Sequence, residues 1–121
     1  MLILRDCMSS PVVSVPEGAT VKEAAQIMAD REISSILIQG NEDFLGVFTT
    51  TDLVKRVVAA GLDPNTTSAL SVATFPILTI DQYLTPEEAN EKMLRHKVKR
   101  VAVTEGKKIV GIISMKDIVR L

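Results

Sequence analysis

An α+β fold built from two copies of a β-α-β-β-α unit is the class this chain predicts, and three observations lead to it. The segment Gly46-Val47-Phe48-Thr49-Thr50-Thr51-Asp52 returns as Gly111-Ile112-Ile113-Ser114-Met115-Lys116-Asp117, with glycine, two apolar residues, a hydroxyl, two variable positions and an aspartate in the same order. The second copy lies 65 residues after the first, and the same shift sets Pro11 on Pro76, Thr20 on Thr85, Glu23 on Glu88, Ala24 on Ala89 and Met28 on Met93 without a gap. Within each copy, short β-branched runs alternate with apolar residues at helical spacing. A period of this length seen twice marks a duplicated supersecondary unit, not a long solenoid. Units of about 60 residues would be marginal alone, so a shared core is expected.

The elements follow in order. Residues 1–10, MLILRDCMSS, form a strand or a helical turn packed on the body. Pro11 opens Val12-Val13-Ser14-Val15, a strand closed by Pro16 and Gly18. Thr20-Val21-Lys22-Glu23 is a capping box, and Val21, Ala24, Ala25 and Met28, widened by Ile27, draw an apolar stripe on the helix it starts. Ser35 to Ile38 and Phe44 to Phe48 are strands of a hairpin whose turn is Gly40-Asn41-Glu42-Asp43. Leu53, Val54, Val57 and Val58 mark a second amphipathic helix, ended by Gly61 in a left-handed cap. The domain boundaries expected are therefore 1–62 for the first unit with its N-terminal segment, 63–75 for a linker, and 76–121 for the second unit. In the second unit Ile77 to Ile80 is a strand, and Thr85-Pro86-Glu87-Glu88 caps a helix with proline at its first position, where no amide is lost. That helix ends near His96. Val101 to Thr104 and Ile109 to Ile113 flank a turn, and a last helix starts near Met115.

Composition narrows the function. The chain is 46% hydrophobic, rich for a small domain, so part of its apolar surface is expected between chains. Net charge is −1, which gives no global field toward nucleic acid or anionic lipid. Cys7 is the lone cysteine, which excludes an intrachain disulfide and suits a reducing compartment. No apolar run approaches the ~18 residues of a membrane span, and no secretory h-region is evident, so a cytoplasmic location is expected.

The β-α-β-β-α order, the tandem period and the two Gly-x-x-(Ser/Thr)-x-x-Asp segments together resemble a pair of cystathionine β-synthase (CBS) domains, a Bateman module. The resemblance covers residues 11–121. It implies two units packed sheet to sheet about a pseudo-twofold axis, with two clefts that take adenosine compounds: AMP, ADP, ATP or S-adenosylmethionine, as a ligand and not as a prosthetic group. By the same resemblance, Thr49 and Ser114 meet phosphate and Asp52 and Asp117 the ribose diol. The base lies against Val13, Val15 and Ile33 in the first unit and Leu78, Ile80 and Val98 in the second. Such pairs commonly dimerise through their helices, so a homodimer acting on a separate regulated protein is expected.

The residues suit that chemistry on their own terms. Gly46 and Gly111 let a backbone or ligand approach a strand. Thr49 and Ser114 place a hydroxyl where a helix opens, and Asp52 and Asp117, acceptors only, suit a vicinal diol that offers two donors. The bland alternative is that both aspartates cap helices at the N-cap and bind nothing. Lys97-Val98-Lys99-Arg100 breaks the symmetry, because Ser34 and Ser35 stand in the places of Lys99 and Arg100. A guanidinium fork fits phosphate, which assigns Arg100 to one site; Lys99 and Lys116 complete the expected nucleotide-binding set. With Lys107 and Lys108 these residues form a local basic patch, but no aromatic residues for base stacking accompany it, so a nucleic-acid-binding module is the weaker alternative. His96, the only histidine, follows a helix without a second ligand type at metal spacing and reads as a helix C-terminal residue. No nucleophile is paired with a base and no P-loop is present, so a binding module is predicted and not an enzyme. A ligand-free interaction scaffold is the main competing function.

Overall fold

A computed structural model describes all of Met1–Leu121. The elements in order are β1 (Ser14–Pro16), α1 (Val21–Arg31), β2 (Ser35–Gln39), β3 (Phe44–Thr49), α2 (Thr50–Asp52), β4 (Thr79–Asp81), α3 (Pro86–His96), β5 (Arg100–Glu105), β6 (Lys108–Ser114) and α4 (Met115–Val119). Helix α2 continues without a break as a π-helical run, Leu53–Val58, in which the Ala59 amide reaches back five residues to the Val54 carbonyl. Short 3₁₀ turns occupy Leu4–Asp6 and Leu70–Val72. The predicted β-α-β-β-α order is present twice.

Two compact units result, Val13–Ile77 and Met1–Val12 with Leu78–Leu121. Each holds one three-stranded sheet, β1-β2-β3 or β4-β5-β6, with the first pair parallel and the second antiparallel. The registers correspond: Ile38 faces Gly46 and Val103 faces Gly111, and each hairpin carries an irregularity just beyond that pair. Each unit has a hydrophobic core of its own. In Val13–Ile77 it joins Val21, Ala24 and Met28 of α1 to Ile36, Ile38 and Phe48 of the sheet; in the other unit Ala89 and Met93 of α3 meet Val101, Val103 and Ile113. Leu37 and Ala102, which alternate with these core residues, are buried on the opposite faces of the middle strands.

The helices begin where their caps dictate. Thr20 and Glu23 form a reciprocal box, and Thr85 accepts from the Glu88 amide ahead of Pro86. Both helices end in a left-handed residue that is not glycine, Glu32 and Lys97, at equivalent positions. His96 is the exposed last residue of α3, as its place in the sequence indicated. Gly61, with φ of +73°, follows the π-helical run in the left-handed conformation predicted for it.

The boundaries differ from those read off the repeat. Residues 1–62 do not form one unit, because Leu4 is fully buried in the core with Ile80 and Met93, and its amide donates to the Leu84 carbonyl. Residues 63–75 are not a free linker, since Ala69, Val72 and Ala73 are buried in the Val13–Ile77 core. The cause is a pair of bridges. Thr74 exchanges both backbone hydrogen bonds with Val47 on the open edge of β3, at 2.8 and 3.0 Å, and Ser9 does the same with Ile112 on β6, at 2.8 and 3.0 Å. Thr74 and Ser9 are equivalent under the 65-residue shift, as are Val47 and Ile112. Each repeat is therefore preceded by a strap that closes the sheet of the other repeat, which covers an otherwise open strand edge.

Candidate functional site

Both motifs fall at a strand-to-helix junction, β3 into α2 and β6 into α4. Thr49 and Ser114 are the N-cap residues, and Asp52 and Asp117 stand three positions on. The bland alternative had the aspartates at the N-cap; the structure gives that role to the hydroxyls, because only Thr49 and Ser114 keep extended backbone angles. Both pairs close capping boxes. The Asp52 amide donates to Thr49 Oγ1 at 3.1 Å, and Asp52 Oδ2 accepts from the Thr49 amide and hydroxyl at 3.0 Å each. The Asp117 amide donates to Ser114 Oγ at 3.1 Å, and Asp117 Oδ2 accepts from the Ser114 amide at 2.9 Å.

Beyond the boxes the two junctions part. Asp52 is 4% exposed, and its carboxylate also receives the Thr74 hydroxyl, 3.0 Å from Oδ1 and 3.1 Å from Oδ2. Arg56, one turn on, brings Nε to 3.6 Å from Oδ1 and donates from Nη1 to the Ala73 carbonyl at 3.0 Å. Asp117 is only half-buried, and the positions equivalent to Thr74 and Arg56 are Ser9 and Leu121. In place of those partners, this junction has Arg100 directly across the β5–β6 ladder from Ser114, where Ser35 faces Thr49 in the other unit. Cross-strand partners share a face of the sheet, so the Arg100 and Ser114 side chains leave the ladder on the same side.

The remaining expected residues divide. Val13, Ile33, Leu78 and Val98 are half-buried at the margins of the cores, whereas Val15 and Ile80 lie within them. Val15 and Ile80 are the middle residues of β1 and β4, whereas Val13, Ile33, Leu78 and Val98 lie just outside the strands. Lys99 and Lys116 are exposed. Lys107 and Lys108 sit at the β5–β6 turn, at the far end of β5 from Lys99 and Arg100, so the expected single basic patch does not form. The glycines serve the straps: a methyl at Gly46 would stand 3.2 Å from the Thr74 carbonyl, and one at Gly111 would stand 3.1 Å from the Ser9 carbonyl and 2.3 Å from Met8 Sδ. Thr74 and Arg56 escaped the sequence reading. Their signals were present, since Thr74 and Ser9 are hydroxyl residues two before aligned prolines, and Arg56 stands at i+4 from Asp52.

A cleft of about 390 Å³ opens elsewhere, between β4 and α3, with Asp81, Glu88, Glu91, Lys92 and Arg95 in its wall. Of the expected site residues only Ile80 reaches it, and the Lys92 ammonium donates there to the Thr79 carbonyl. The Cys7 thiol is pushed above its ordinary range by burial, then by the charges of Asp6 and Asp117, which places it in the field of the second motif.

Comparison with known proteins decides the family. The CBS domain profile matches residues 4–59 and 69–121. The chain belongs to the CBS domain family. That family is regulatory and not catalytic. Hypoxic response protein 1 of Mycobacterium tuberculosis is 38% identical to this CBS pair over 121 residues, which are 99% of this chain and 85% of that protein. A crystal structure of Hypoxic Response Protein I with two coordinated zinc ions superposes with a TM-score of 0.83 at 36% identity, covering 98% of each chain. In the present CBS pair no three His, Cys, Asp or Glu side chains gather as a metal-ligand group. The CBS domain pair of MJ0100, solved in complex with 5′-methylthioadenosine and S-adenosyl-L-methionine, shares the fold with a TM-score of 0.86 at 22% identity, covering 98% of this chain and 94% of that one. No helix of the CBS pair is long and apolar enough to cross a membrane.

Proposed function

We propose that this CBS pair is a regulatory module that binds an adenosine compound, AMP, ADP or ATP foremost and S-adenosylmethionine as a further candidate, and acts on a separate protein. The observation that carries the reading is the second junction, where Ser114, Asp117 and Arg100 are assembled by one strand pair and one capping box. Ser114 and Arg100 would hold phosphate, with Lys99 and Lys116 exposed alongside, and Asp117 would accept from the ribose diol. Leu78 and Val98 would meet the base, as Val13 and Ile33 would in the first unit; Val15 and Ile80 are committed to the cores. Thr49 and Asp52 would form the corresponding first site. The fold is known to accommodate adenosyl ligands, since the MJ0100 pair holds two.

The experiment is calorimetric titration of AMP, ADP, ATP and S-adenosylmethionine, with a 2′-deoxyadenosine compound as control. Micromolar binding, about −8 kcal/mol, is expected, weakened by the deoxy sugar and by Asp117→Ala. No binding by any of the four sinks the reading. One observation favours a ligand-free scaffold as the second reading: the Asp52 carboxylate is already engaged by its own chain. Homodimerisation belongs to the same proposal and is supported by Val54 and Val58, which are 60% and 69% exposed on one face of the π-helical run.

A further inference from the structure

The carboxylate expected to read a ribose diol at the first motif is covered by a hydroxyl of the chain itself. We infer that Thr74 is a built-in competitor for Asp52, so that an adenosine ligand binds the first site only by displacing the strap Ala73–Phe75. This rests on the nucleotide reading above and concerns how that site is regulated.

A carboxylate offers about four lone-pair positions. At Asp52 the Thr49 amide and hydroxyl occupy Oδ2, the Arg56 guanidinium stands beside Oδ1, and the Thr74 hydroxyl spans both oxygens at 3.0 and 3.1 Å. A vicinal diol also needs both oxygens, one for each of its donors. Thr74 therefore occupies the place of the diol with a single hydroxyl, and unlike the Thr49 amide and hydroxyl it can leave without unmaking the helix cap. Its departure has a mechanical consequence. Thr74 is held on β3 by two backbone hydrogen bonds to Val47, Ala73 by the Arg56 guanidinium, and Gly46 leaves the space in which the Thr74 carbonyl lies. Two residues later the chain enters Pro76 and then β4. Binding at Asp52 would thus convert a fixed strap into slack chain at the entry to the second repeat. The second motif has no equivalent device, because Leu121 brings no charge and Ser9 meets β6 through its backbone.

The test uses the full chain carrying Asp117→Asn, so that binding reports the first site, and compares it with the same chain carrying Thr74→Val as well. Titrated with AMP, the Thr74→Val chain is expected to bind about tenfold tighter, and the gain should vanish with 2′-deoxy-AMP, which lacks one of the two competing donors. A second measurement needs no change at Thr74: AMP should speed hydrogen exchange of the Val47 and Thr74 amides in the Asp117→Asn chain. Equal or weaker AMP binding after Thr74→Val, a gain of the same size for 2′-deoxy-AMP, or slower exchange at those amides each overturns the competitor role while leaving nucleotide binding intact. If neither chain nor the wild type binds AMP, ADP, ATP or S-adenosylmethionine, the nucleotide reading itself fails and takes the inference with it.

Discussion

Asp52 and Asp117 occupy the same place in two copies of one motif, yet their surroundings give them different energetic weight. Truncating Asp52 would strand the Thr49 amide, the Thr49 hydroxyl and the Thr74 hydroxyl in a site almost closed to water, and an unsatisfied buried donor costs about 1–3 kcal/mol. The Arg56 contact adds little, because that side chain is half in solvent. We expect Asp52→Ala to lower stability by about 2–3 kcal/mol in urea unfolding and Asp117→Ala by about 1 kcal/mol, the scale of a lost cap in contact with water. Equal losses would show that burial of the first carboxylate is not what distinguishes the pair. The identities of the four motif residues were legible in the sequence from the repeat alone. Their inequality was not, because Thr74 reaches Asp52 from 22 positions away and nothing in a local pattern records such a contact.

At the scale of elements, caps and turns were the readable part. The Thr20 box starts α1, and hydrogen bonds from the Thr20 amide and hydroxyl hold the Glu23 carboxyl below its ordinary value of 4.5. A depressed folded-state value means that the box contributes in full above the unfolded value and is lost as pH falls through the lowered one. Protection factors of the amides in the first turn of α1 should therefore fall as the pH drops below the ordinary glutamate range in the wild type, but not in a Glu23→Gln chain, whose side chain cannot titrate. Strand facing was harder to read, since three residues in β1 or β4 carry too little alternation to say that Val15 and Ile80 turn inward. The straps left no periodic trace either, each being a single bridged residue. They do explain both motif glycines. Gly46→Ala and Gly111→Ala should each destabilise by about 1–3 kcal/mol, the usual range for overpacking, and the latter should also expose the Met8 thioether to faster peroxide oxidation. A Gly111→Ala chain as stable as wild type, with Met8 still protected, would mean that the N-terminal strap yields at no cost.

For the whole molecule, the duplication was plain from the sequence while the division of the chain was not, because the repeat boundary and the packing boundary do not coincide. The exposed pair Val54 and Val58 marks the surface that we assign to self-association. A chain carrying Val54→Asp and Val58→Asp should run as a monomer in light scattering under conditions where the wild type is a dimer; a wild-type monomer at micromolar concentration would remove the homodimer from the proposal. The N-terminal strap bears on events that precede any of this, namely synthesis. Leu4 and Ser9 leave the ribosome well before Ile80, Met93 and Ile112, with the 65 residues of Val13–Ile77 in between. At about 5–20 residues per second that interval lasts roughly 3–13 s, long enough for Val13–Ile77 to fold as a contiguous unit. The apolar N-terminal strap must wait through it without a partner, and a chaperone or a neighbouring nascent chain has that window in which to find it.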